Sequence, residues 1–102
     1  MNIYLDYLIK NFGGGHLKGA IYASELIENY NIRDITKAYR DYAKDYNINY
    51  ANIERAIRHY IGTIATTKDI ENILKCKCFN GRNFTNQEFL TIVKLRAEED
   101  KQ

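Results

Sequence analysis

Apolar residues recur at three- and four-residue spacing along almost the whole chain, and no proline interrupts them anywhere in its 102 residues. Proline fixes φ and removes an amide donor, so its absence leaves every position free to lie inside a helix. No stretch alternates apolar and polar residues as a half-buried strand would. The pattern predicts an all-α protein, and the spacing divides into six segments. Residues 3–12 place Ile3, Tyr4, Tyr7, Leu8 and Phe12 on one stripe, ended by Gly13, Gly14 and Gly15. That glycine run lacks the G-K-[ST] ending and the preceding strand of a phosphate-binding loop, so it reads as a helix stop and flexible joint. A second helix runs from about Leu17 to Tyr30, with Leu17, Ala20, Ile21, Ser24, Ile27 and Tyr30 in register. A third spans about Asp34 to Tyr46 on Ile35, Ala38, Tyr39, Tyr42, Ala43 and Tyr46, and a fourth carries Ile53, Ala56, Ile57, Tyr60, Ile61 and Ile64. "TKDIENIL" is a short fifth helix with acids in its first turn, where they suit the helix dipole. After the loop "KCKCFNGRNF", Thr85 and Glu88 form a capping box that opens a sixth helix with Phe89, Ile92 and Val93 facing inward.

A chain of this length suits one domain, residues 1–102, with a core that needs no disulfide. With 45% hydrophobic and 27% charged residues, the composition is that of a globular protein. A net charge of +2 is too small to coat nucleic acid non-specifically, so DNA binding would need charge gathered in one place. Cys76 and Cys78 stand one residue apart; two ligands do not close a tetrahedral zinc site, and neither His16 nor His59 has a companion spacing. They read as two ordinary cytosolic thiols, and no metal or cofactor is expected. The N-terminus carries Asp6 in its apolar run and no basic leader, and no run reaches membrane-spanning length. A soluble, cytoplasmic protein without membrane association is expected.

The link between the third and fourth helices is very short. "YAKDYNINYANIERAIR" reads as a helix, a sharp turn and a helix. Ala43 is small enough for a close crossing, and Asn47 tolerates the left-handed conformation at the turn. Ile48 can plug the angle, Asn49 can cap the second helix, and Ile53 and Ala56 face back into the first. This is a helix-turn-helix pattern over about residues 34–64. Its second helix, about 50–64, turns Tyr50, Ala51, Glu54, Arg55, Arg58 and His59 outward. Arg offers two donors to O6 and N7 of guanine, and Glu accepts from N4 of cytosine. Glu54 and Arg58 also have the spacing of a simple solvent-facing ion pair, so a solvated face stays open as a reading.

"HLKGAIYASELI" (His16 to Ile27), "ITKAYRDYAKDYN" (Ile35 to Asn47), "IERAIRHYI" (Ile53 to Ile61) and "TNQEF" (Thr85 to Phe89) occur in this order. Over about residues 3–95 the chain resembles the C-terminal DNA-binding effector domain of the stage zero sporulation protein A family of response regulators; "ERAIRH" is the most specific part. The resemblance implies a six-helix bundle with a helix-turn-helix that binds promoter boxes of the TGTCGAA type. It implies base contacts from Glu54, Arg55 and Arg58, and a DNA contact from His59 as well. Ala51 and Asn52 stand where the family tends to have a hydroxyl and a basic residue, and Arg40 replaces a proline. The segment with which the family touches an RNA polymerase sigma factor, here "TTKDIENIL", differs at most positions, which argues against that contact. With no receiver domain in these residues, DNA binding is expected to be constitutive.

Tyr50, at the start of the fourth helix, suits a phosphate hydrogen bond, and His59, Lys44 and Arg40 are assigned to phosphates with it. Lys37, Arg40 and Lys44 suit simple solvation equally well. Tyr39, Tyr42, Tyr46 and Tyr60 are read as packing residues, Gly19 as a site of close helix approach, and His16 as a helix-start residue. No nucleophile stands with a base, so no enzymatic activity is expected. The expectation is a sequence-specific double-stranded DNA-binding protein in transcription regulation, with tandem or homodimeric binding open. The alternative is a protein-interaction module that keeps the effector fold and sequesters a partner, favoured by Asn52 and the low net charge.

Overall fold

Among the described residues, five of the six helices begin at a side chain that satisfies free amides of the first turn, as orphan helix-start donors require. The computed structural model describes residues 2–78 and 83–101. Its helices are α1 (Ile3–Phe12), α2 (Lys18–Asn29), α3 (Ile35–Tyr46), α4 (Tyr50–Ala65), α5 (Ile70–Leu74) and α6 (Asn86–Asp100), and no strand occurs among the described residues. Asn2 caps α1, Asp34 α3, Asn49 α4 and Asp69 α5. At α6 the capping box is complete: Thr85 Oγ1 accepts from Glu88 N at 3.1 Å, and Thr85 N donates to Glu88 Oε1 at 2.8 Å. Only α2 starts without a side-chain cap.

The helix ends follow from backbone chemistry. Gly13 (φ 76°) turns the chain out of α1 while its N–H reaches the carbonyls of Leu8 and Ile9. Lys75 ends α5 at φ 55°, an expensive conformation for a side-chain-bearing residue. Arg96 offsets it, donating from Nε to Leu74 O at 2.6 Å and from Nη2 to Lys75 O at 3.4 Å. Part of the "KCKCFNGRNF" loop, residues 79–82, lies outside the described residues.

Helix α2 occupies the middle, packed on α1, α3, α4 and α6. Gly19 sets its approach to α4: a Cβ there would lie 2.6 Å from Tyr60 Cβ and closer still to the Ala56 carbonyl oxygen. Tyr60, fully buried, donates from its hydroxyl to Gly13 O at 2.9 Å, so the glycine run is tied to α4. Burial pushes the Tyr60 phenol up to about 12.

Two inward assignments are corrected, on α2 and at the end of α3. Ile21 is 37% exposed, and Gly19, Ala23 and Leu26 face the core with Ala20 and Ile27 instead. Gly19, Ala20 and Ala23 take the inner face over Ile21 in the turns where α4 comes so close to Gly19. Tyr46 is 54% exposed, because it ends α3 where the chain turns away; its ring still lies on Tyr42, centroids 4.9 Å apart. On α6, Leu90 is fully buried with Phe89 and Val93, and Ile92 is half-buried. Among the described residues, no helix is long and apolar enough to cross a membrane.

Candidate nucleic-acid interface

The turn between α3 and α4 forms as its residues require. Asn47 adopts the left-handed conformation (φ 52°, ψ 49°), which lets Ile48 N donate to Ala43 O at 2.9 Å. Ile48 packs against the core, and Asn49 Oδ1 accepts from Ala51 N at 2.8 Å to start α4. Ile53, Ile57, Tyr60, Ile61 and Ile64 bury one side of α4 and fix its rotation. Ala51, Asn52, Arg55, Arg58 and His59 are therefore exposed, and Glu54 is half-buried at the edge.

The residues singled out from the sequence do not all stand alike. Arg58 Nη1 donates to Glu54 Oε1 at 2.6 Å, an i,i+4 ion pair with the arginine side chain 63% exposed. Such a pair contributes about 0.3–0.5 kcal/mol, weak enough for a ligand to rearrange. Arg55 makes no hydrogen bond or ion pair among the described residues. Tyr50, half turned to solvent, sets its ring edge-on against Tyr39, centroids 5.5 Å apart. His59 lies 3.5 Å from the Thr63 hydroxyl one turn on.

Charge on α3 and α4 sorts itself by pairing. Five cations, Lys37, Arg40, Lys44, Arg55 and Arg58, share these helices with three acids, Asp41, Asp45 and Glu54. Lys37 is held by Asp41 at 2.7 Å, and that hydrogen bond raises its pKa. Asp45 is turned toward α2, accepting from the Tyr30 hydroxyl at 2.6 Å. With Glu54 on Arg58, this leaves Arg40, Lys44 and Arg55 as exposed cations without a protein partner among the described residues.

Sequence reading passed over Asn86 and Gln87, the two residues inside the Thr85–Glu88 capping box. Asn86 Nδ2 donates to Tyr39 Oη and to Glu54 O, each at 3.0 Å. Gln87 Nε2 donates to Ile32 O at 3.2 Å and Arg33 O at 2.9 Å. Burial raises the Tyr39 phenol, and the Asn86 N–H partly reverses that. Two carboxamides inside a cap were the available signal, but nothing local says which helix they reach. Cys76 and Cys78 are free thiols, both half-buried. Burial and the Glu71 carboxylate push the Cys78 thiol up, away from the reactive thiolate.

Two helices locked by a left-handed asparagine, the second showing arginines outward from an isoleucine-anchored side, define a helix-turn-helix protein. The chain belongs to the family described as "Sporulation initiation factor Spo0A C terminal", whose model it matches over residues 7–96. That family is a DNA-binding, all-α effector domain of a sporulation response regulator, and its members bind double-stranded DNA. No curated protein and no solved structure shows significant similarity to the chain.

Proposed function

We propose that this chain, as one helix-turn-helix domain over residues 1–102 with the motif at about 34–64, binds double-stranded DNA sequence-specifically and regulates transcription. Helix α4 enters the major groove. Glu54, Arg55 and Arg58 meet base edges; Tyr50, His59, Arg40 and Lys44 meet phosphates. The observation that carries this reading is Arg55, exposed and with no protein partner among the described residues, on the side of α4 opposite Ile53, Ile57 and Ile61. A guanidinium left free beside a loosely paired Glu54–Arg58 supplies a bidentate donor for guanine and an acceptor for cytosine, which a CG step in a TGTCGAA-type box requires. One domain of this size reaches few phosphates, so a single box should bind weakly. Tandem boxes should bind more tightly where neighbouring domains touch, through raised effective concentration.

Arg40 and Lys44 provide the test of orientation. Each Ala replacement should weaken binding to the box and to a scrambled duplex about equally. Each should also reduce the slope of log affinity against log salt by about one unit, the signature of one lost phosphate contact. Titrations of both duplexes across a salt series measure this. An unchanged slope places the two side chains in solvent and turns α3 away from the duplex.

A further inference from the structure

Resting on the DNA reading above, we infer that Asn86 and Gln87 are positioning residues for base recognition: the first turn of α6 clasps both helices of the motif and fixes the angle at which α4 presents Glu54 and Arg55. A carboxamide nitrogen carries two hydrogens. Asn86 spends one on α3, at the Tyr39 hydroxyl, and one on α4, at the Glu54 carbonyl. Gln87 spends both on the segment entering α3, at the carbonyls of Ile32 and Arg33. Both helices of the motif and the segment that leads into it are thus tied to one turn of α6.

That turn is rigid for reasons on either side of it. The Thr85–Glu88 capping box closes both hydrogen bonds across it. Phe84 before it is buried, and Phe89 and Leu90 after it are fully buried. The Asn86 contact falls on the backbone of Glu54, next to Arg55, so it holds the stretch of α4 that faces the bases. Recognition by a planar guanidinium tolerates only about 10–20° of misorientation. Arg40 and Lys44, the phosphate contacts carried by α3, do not move with a tilt of α4, and the lysine is flexible besides. Loosening the clasp therefore costs selectivity and spares non-specific binding.

The test measures affinity for a TGTCGAA-type box and for a scrambled duplex, together with amide hydrogen exchange, on the wild-type chain and on Asn86→Ala, Gln87→Ala and Tyr39→Phe. Asn86→Ala should lower the box-to-scrambled ratio about tenfold, within the worth of one bidentate base contact, while scrambled affinity stays within about twofold. Exchange should accelerate over residues 53–58 and leave α1 unchanged. Gln87→Ala and Tyr39→Phe should give the same pattern more weakly, and they carry the test if Asn86→Ala does not fold. A merely structural role predicts both affinities falling in proportion, and that result overturns the inference. So does an unchanged ratio in variants of a discriminating wild type. A wild type that does not discriminate overturns the DNA reading, and the inference with it.

Discussion

Replacing Arg55 with Ala should leave the melting temperature within about 3 °C of wild type while the preference for a TGTCGAA-type box over a scrambled duplex collapses. The first half follows from position: the side chain is exposed and makes no hydrogen bond or ion pair among the described residues, so its removal takes nothing from the core. The second follows from chemistry. Two hydrogen bonds from one guanidinium to O6 and N7 of guanine discriminate by about 1–3 kcal/mol, roughly fivefold to 150-fold in the binding ratio. Thermal unfolding and paired titrations on the same preparations check both halves. Glu54→Ala should differ in kind. It frees Arg58 from its 2.6 Å partner and removes a negative charge from the duplex side, so total affinity rises while selectivity at one cytosine falls. An Arg55→Ala protein that unfolds, or that keeps its preference, removes α4 from the recognition role.

Among the described glycines, Gly19→Ala should be the most damaging change. Its new Cβ meets the Ala56 carbonyl oxygen and Tyr60 Cβ, neither of which is the movable end of a flexible side chain. The helices α2 and α4 must separate, and with them a core in which Ala20, Ala23, Ile53, Ile57 and Tyr60 are fully buried. Overpacking of this sort costs about 2–3 kcal/mol, near the top of the usual range because backbone and not side chain has to yield. For a domain this small, that lowers the melting temperature by roughly 10–20 °C. Gly62 is the internal control: a Cβ there meets nothing within 4 Å, so Gly62→Ala should be neutral or slightly stabilising through helix propensity. Equal melting temperatures for the two variants would contradict the close α2–α4 approach.

These two sites also mark where a sequence is legible. Local chemistry is read directly: the Thr85–Glu88 box, the left-handed Asn47 and the Asn49 cap each depend on a few neighbouring residues, and each forms. The isoleucine side of α4 settles its rotation for the same reason, which leaves Arg55 and Arg58 outward. The inner face of α2 was harder, because Ile21 and Ala23 compete for it and hydrophobicity alone favours Ile21. The tie is broken by distance to α4, a tertiary quantity that only Gly19 hints at. Tyr46 fits the stripe of α3 but lies at its last residue, where no partner helix remains to cover it. Asn86 and Gln87 were illegible for a further reason: their acceptors are mostly backbone carbonyls 32 to 55 residues away, and carbonyls carry no sequence signature.

The central claim is that Arg55 reads a guanine in the major groove, and one double-mutant cycle tests it most directly. Each guanine of the box is replaced in turn by 7-deazaguanine, which deletes the N7 acceptor and leaves Watson–Crick pairing intact. Affinities are then measured for wild type and Arg55→Ala on each duplex. At one guanine the wild-type chain should lose about 1.5–3 kcal/mol, the worth of a hydrogen bond to a charged group, and Arg55→Ala should lose almost nothing further. Equal losses in both proteins at every guanine would mean that Arg55 meets no N7, and the recognition-helix account would be wrong.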